Sequence, residues 1–322
     1  MSVAASTARP VRAQGRGRDR VGDVLLRGLC ILACLVALAV MFDIAYQVIT
    51  RSHSAFSKFG LGFLTATDWK PNFFQFGAGT LIFGTAVTSV MALVLAVPIG
   101  VSIGLYLSLL APRRLRGVIG PLVELLAAIP SVILGFWGII VLAPVLRDAE
   151  PWLHRNLGFI PIFGAPQTAG ASVFIAGLIL AIMVVPIVAS ISRDLFNTVP
   201  RELQEGATAL GATQWEVVRG VILPSTITGV ASAAFLGLGR AVGEAIAVAQ
   251  VIGAGNLLHT SLFQTGDTLA SRIALQFPGA LSKLHVASLF YLATILLALG
   301  LVSNLIAQWI SWRFGPERML SR

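Results

Sequence analysis

Arg240 and Glu244 stand four residues apart in a stretch, residues 226–252, that carries no other charge. A guanidinium presents a planar fork of donors that fits the oxygens of phosphate or of a carboxylate, and it keeps its charge. A glutamate one helical turn away is within its reach. Two chemistries follow. The charges can neutralise each other as a structural ion pair. Alternatively the arginine receives an anion, while the glutamate positions it and balances its charge when no anion is present. The order, arginine before glutamate, is the poorer one for helix stability, which weakens the structural reading without excluding it. Gly237, Gly239 and Gly243 surround the pair, and small residues let a helix or a ligand approach the backbone.

The elements that hold this pair follow from composition. Hydrophobic types make up 56% of the 322 residues and charged types 11%, and the mean hydropathy is +0.86. A water-soluble domain leaves too much surface exposed to hide that apolar content, and a disordered chain needs the opposite balance. The apolar stretches are long runs rather than short alternating ones, so the chain reads as a helical membrane protein and not a barrel. The formal charge of +9 would suggest nucleic acid in a soluble protein. Here the basic residues gather at the ends of apolar runs, where they fix topology, so nucleic acid is not expected as a partner and membrane lipid is.

Six spans are read at about 28–49, 79–110, 118–145, 172–192, 226–252 and 285–312. An Arg-rich tail, 1–23, precedes a transmembrane domain, 24–312, and a short tail, 313–322, follows it. With the amino terminus inside, the inner segments hold 15 Lys and Arg, the outer segments 7, and Arg240 is left within the membrane. That bias puts both termini in the cytoplasm. If the fifth helix begins near Thr226, Arg240 is 14 residues along it, or about 21 Å. This lies past the middle of a hydrocarbon core about 30 Å thick. An arginine there costs at least about 2.5–3.5 kcal/mol on insertion scales, so it must face protein or a wet cavity, and such groups mark function by default.

Several other features carry less. Glu124 falls near the inner end of its span and Asp43 near the outer end of the first, which suits interfacial positions. Pro130, Pro144 and Pro186 are placed to kink or end helices. Cys30 and Cys34 lie one turn apart in the first span, a packing position rather than a disulfide framework. Apolar sequence runs on past Cys34, so neither lipoprotein processing nor signal cleavage is expected. The four histidines have no metal-ligand spacing. No phosphate-binding Gly-rich loop ending in Gly-Lys-Ser/Thr, no Gly-x-Ser-x-Gly and no His-Glu-x-x-His occurs. The chain is therefore read as a non-enzyme without a cofactor or metal of its own, driven by another chain or by an ion gradient.

The segment 193–225 is the most polar inner stretch. Pro200 can open a helix, Glu202–Leu210 can continue it, Gly211 can end it, and a second helix, Gln214–Leu223, is expected to stop at Pro224 and Ser225. From periodicity alone the hairpin is equally an amphipathic element touching lipid and a handle for a cytoplasmic partner.

Within it, Glu205-Gly206-Ala207, three residues, Gly211, nine residues, then Val221-Ile222-Leu223-Pro224 resembles the signature loop of permeases of ATP-binding-cassette importers. Gly206 replaces the usual alanine and Val221 the usual isoleucine; a mid-helix glycine costs about 1 kcal/mol. More narrowly, Phe63–Trp69, Glu124–Val132, Phe136-Trp137-Gly138 and Leu238–Glu244 resemble the PstC-like permeases of phosphate importers. The likeness covers about residues 60–312. It implies an all-α, type I importer-permease fold and alternating-access transport of inorganic phosphate across the inner membrane. It implies that Glu205, Gly206, Ala207, Gly211, Leu223 and Pro224 dock an ATPase, and that Arg240 and Glu244 line the path. The implied partners are a homologous PstA-like permease, two copies of a PstB-like ATP-binding subunit and a periplasmic PstS-like phosphate-binding protein. The rivals are the sister permease, a permease for sulfate or molybdate, and, from another class, a gated anion channel, which would need no coupling loop.

Overall fold

The computed structural model describes residues 16–166 and 170–314. The tails 1–15 and 315–322 lie outside the described residues. Six helices are long and apolar enough to cross a membrane. The chain divides into two compact units at Thr50–Arg51. The first unit holds most of helix α1 (Arg16–Phe59), so the expected tail gives way to helix by Arg16. Large apolar side chains from Val24 to Ile49 are exposed, as suits a helix bathed in lipid.

In the second unit the last residues of α1, a short turn of helix, Gly62–Thr65, and a 3-10 turn, Pro71–Phe73, lead to α2, Gly79–Leu110, where the sequence placed it. A helix α3, Arg113–Ala128, follows. The third span is α4, Ser131–Leu157. The expected single helix 118–145 is therefore wrong: Ile129 and Pro130 take extended backbone and divide it. Proline disfavours helical geometry in the residue before it, and hydropathy does not register a break inside an apolar run. Next come α5, Val173–Thr198, and the short α6, Arg201–Ala209. The fifth span, α7, is continuous over Gln214–Gly243. It starts twelve residues before the expected Thr226 and ends nine before residue 252. Short helices α8, Ile246–Val251, and α9, Leu269–Gln276, precede α10, Lys283–Phe314.

Pro224 does not end a helix. It sits in the first turn of the segment that continues α7, just after a π-helical turn, Val218–Ile222. Pro112 and Pro144 likewise stand two residues beyond the π turns Tyr106–Leu110 and Gly138–Leu142. A proline lacks the N–H owed to the carbonyl four residues back and crowds that carbonyl. One extra residue in the turn relieves the clash. At Pro112 the freed carbonyl of Ser108 accepts from the Arg116 guanidinium at 2.6 Å instead. Pro186, by contrast, is accommodated inside α5.

The core forms where α2 and α5 cross. The buried face of α2 is small: Thr85, Thr88, Ala92, Ala96, Gly100 and Gly104. A Cβ at Gly100 would lie 2.8 Å from the Cβ of Val188 on α5. Without a hydrophobic drive between helices in lipid, such close backbone packing supplies the attraction. A second, aromatic cluster joins Phe63, Trp69, Phe76 and Tyr291. Phe63 stacks on Tyr291 with ring centroids 4.4 Å apart.

Candidate functional site

Gly237 fixes the depth of the pair in α7. Its backbone meets Val184 of α5 and Leu93 of α2; a Cβ there would lie 2.5 Å from Val184 Cγ1. Val184 is the twelfth of the 26 residues of α5 and Leu93 the fifteenth of the 32 of α2. Gly237 therefore sits near mid-span, and Arg240 is about 4.5 Å beyond it along the axis.

Helix α7 ends at Gly243, so Arg240 occupies its last turn, where the carbonyl end of a helix favours a cation. Glu244 has left the helix (φ −73°, ψ 115°). The expected continuous helix through both residues is thus corrected, although the contact survives: Arg240 Nη2 is 3.5 Å from Glu244 Oε2. The other carboxylate oxygen accepts from the N–H of Ala247, at 3.2 Å, in the first turn of α8. Glu244 is buried, while Arg240 is exposed on the same strip of α7 as Leu236, Gly239 and Gly243. Glycines 239 and 243 have no neighbour within 4 Å of a built Cβ. A guanidinium anchored on one side and open on the other can donate to oxyanion oxygens with its remaining N–H groups.

The hairpin of α6 and the start of α7 has two characters. Glu205 and Gly206 are exposed on α6, with Leu210 at 92% exposure at its end. Gly211 takes φ +90°, the left-handed turn anticipated for it. Thr213 and Glu216 then form a reciprocal capping box that starts α7, a Thr-x-x-Glu signal legible in the sequence but not used. Ala207 instead packs against the cluster of Phe196, Val199, Val217 and Ile222, and so does Leu223. Leu223 thus packs at the base of α7, and Pro224 beside it is exposed. The handle and Arg240 are the two ends of one helix, 30 residues long, or about 45 Å.

Among the described residues, charges outside the pair form three further ion-pair groups, of which Lys70 with Asp68, 2.7 Å apart, is exposed. Arg193 Nη2 bonds Glu124 Oε1 and Asp194 Oδ1, each at 3.0 Å, tying α3 to the C-terminal end of α5. Glu124 is therefore a helix-tying group. Asp267 and Arg272 are both sealed from solvent and lie 2.5 Å apart. Burial pushes the Asp267 carboxyl up from its ordinary value, against the lowering effect of Arg272 and of the bonds from Ser271 and Thr268. Burial likewise pushes Arg272 down, against the charge of Asp267. Arg272 also reaches Asn256 and lies over the Trp69 ring, 5.8 Å from its centroid. Counting Arg272 as an outer topological charge concealed this role, because its partners are not local in sequence. Among the described residues no group of three or more His, Cys, Asp or Glu could hold a metal.

Comparison with known proteins agrees with this architecture. Residues 96–315 match the family described as binding-protein-dependent transport system inner membrane component. The chain is 39% identical over 305 residues to the phosphate transport system permease protein PstC of Mesorhizobium japonicum, covering 93% of each. It is 48% identical over 203 residues to the phosphate transport system permease protein PstC 2 of Mycobacterium tuberculosis, covering 62% of this chain and 63% of that one. A solved bacterial ABC transporter involved in the import of the acidic polysaccharide alginate shares the fold, with TM-score 0.59 and 18% identity over 91% of this chain and 99% of that chain. With six apolar helices and a match across more than half its length, this chain belongs to the family of inner membrane components of binding-protein-dependent transport systems.

Proposed function

We propose that this chain is the permease subunit of an ATP-driven importer that carries inorganic phosphate inward by alternating access. The observation that carries the reading is Arg240: a half-exposed guanidinium near mid-span, held from behind by a sealed carboxylate. The names of the relatives give the cargo. The complex would pair this chain with a homologous permease, two ATP-binding subunits and a periplasmic phosphate-binding protein. ATP would bind on the partner subunits, and this chain would carry no cofactor. Both termini would face the cytoplasm, which puts the handle of α6 on the ATPase side.

The mechanism follows from α7. Closure of the ATPase pair would displace the exposed handle around Glu205, Gly206 and Gly211. Leu223, packed at the base of α7, and the exposed Pro224 beside it would transmit that displacement into the helix. A continuous helix moves as a rod, so its far end, and Arg240 with it, would turn between outward- and inward-open paths. Glu244 stays bonded to α8 and would balance the guanidinium once the anion leaves. The test is uptake of labelled phosphate in cells lacking this chain. The native chain restores it and Arg240→Ala does not, although the complex still assembles. Uptake restored fully by Arg240→Ala rejects the site; uptake outcompeted by sulfate or molybdate reassigns the cargo.

A further inference from the structure

Below Arg240 on α7, a cavity of about 370 Å³, mostly apolar with a few polar groups, opens between α7 and α10. Ser232, Phe235 and Leu236 line it from α7, and Asn304, Gln308 and Trp312 from α10. Asn304 and Gln308 are exposed and one turn apart on α10, one of the six long apolar helices. Neither has a hydrogen-bond partner among the described residues. Ser232 already donates to the Thr228 carbonyl at 3.0 Å. Two bare amides cannot be left to hydrocarbon without cost, so water, a ligand or another chain must meet them.

Position decides among these. Ser232, Leu236 and Arg240 follow one another at helical spacing along one strip of α7. Ser232 is eight residues, about 12 Å, from Arg240 toward the end that bears the docking handle. The chain direction of α10 also places Asn304 and Gln308 in its inner half. The cavity therefore lies on the inner side of Arg240 and shares its open face. Its donors are the four amide N–H groups of Asn304 and Gln308, with no charged side chain among its lining residues. Neutral donors replace part of a hydration shell without trapping the ion, and conduction needs sites weak enough to leave.

We infer that Asn304 and Gln308 form a second, neutral oxyanion site that receives the anion from Arg240 on its way to the cytoplasm. This rests on the phosphate-permease reading.

The experiment uses the intact transporter in inside-out vesicles, with Cys30→Ser and Cys34→Ser to remove the native thiols. Ser232→Cys and Gln308→Cys are each exposed to a membrane-impermeant anionic thiol reagent. Both are labelled, and inorganic phosphate slows the labelling severalfold. In the cysteine-containing parent, Asn304→Leu with Gln308→Leu lowers the maximal uptake rate severalfold and leaves KM for external phosphate unchanged, whereas Asn304→Gln retains transport. Absent labelling, or labelling that phosphate does not slow in vesicles that pump phosphate from the lumen outward, overturns the inference. So does loss of the partner permease from the double leucine variant, which would make these amides a subunit contact. If the native vesicles pump no phosphate, the cargo reading fails on its own. Labelling slowed by sulfate then still supports an oxyanion site, and labelling that sulfate leaves unchanged overturns it.

Discussion

Arg240 and Glu244 are 3.5 Å apart, yet the arginine side chain is 46% exposed and the glutamate side chain 6%. The pair is therefore lopsided. The carboxylate is committed on both oxygens, to the guanidinium and to the Ala247 amide. The guanidinium is committed on one side only and leaves its other donors open.

Arg240→Ala removes charge and donor fork together. Hydrogen bonds to charged groups contribute about 1.5–3 kcal/mol, so phosphate uptake falls by about tenfold to a hundredfold or more. Arg240→Lys keeps the charge but not the fork and retains a fraction of the activity. Uptake assays beside co-purification of the ATPase subunit measure both; equal activity of the lysine and native forms would show that only charge matters.

Glu244→Gln leaves the guanidinium without its counter-charge. The anion is then held more tightly and released more slowly. KM for phosphate and the maximal rate both fall in uptake kinetics. A raised KM with an unchanged rate would mean that Glu244 does no more than position Arg240.

Gly237 and Gly239 are two residues apart but meet different surroundings. Gly237→Val would drive its side chain into Val184, whereas a Cβ at Gly239 meets nothing within 4 Å. Overpacking costs typically about 1–3 kcal/mol. Thermal unfolding of the detergent-solubilised complex separates the two: Gly237→Val lowers the midpoint and Gly239→Ala does not.

Gly211 holds φ +90° between the handle and α7. A β-branched residue is strained there, by at least about 1–2 kcal/mol. Gly211→Val reshapes the handle, so less ATPase co-purifies or hydrolysis is uncoupled from transport. Glu205→Ala, on an exposed helix face, weakens the same association without changing the midpoint of unfolding. Full ATPase retention with normal coupled transport in both variants contradicts the docking role.

Asp267→Asn strands the buried charge of Arg272. Breaking one side of a buried pair costs about 3–5 kcal/mol, whereas replacing both partners by apolar groups of similar size is often neutral. The double variant Asp267→Leu with Arg272→Met therefore unfolds at a higher temperature than Asp267→Asn alone. The opposite order would assign the pair a role that apolar packing cannot replace.

The sequence by itself determined that this is a six-span helical membrane protein, because apolar run length and loop charge are local quantities that the bilayer reads directly. It also marked Arg240, whose cost in lipid needs no knowledge of its neighbours, and the left-handed turn at Gly211. Only the tertiary structure decided where helices break inside apolar runs. The division at Ile129–Pro130 and the passage of α7 through Pro224 depend on backbone geometry to which hydropathy is blind. It alone buried Arg272, whose partners Asp267, Asn256 and Trp69 come from separate segments. It alone showed which partner of the Arg240–Glu244 pair is open. A sequence gives the spacing of two charges, but exposure is set by what the other helices pack against each of them.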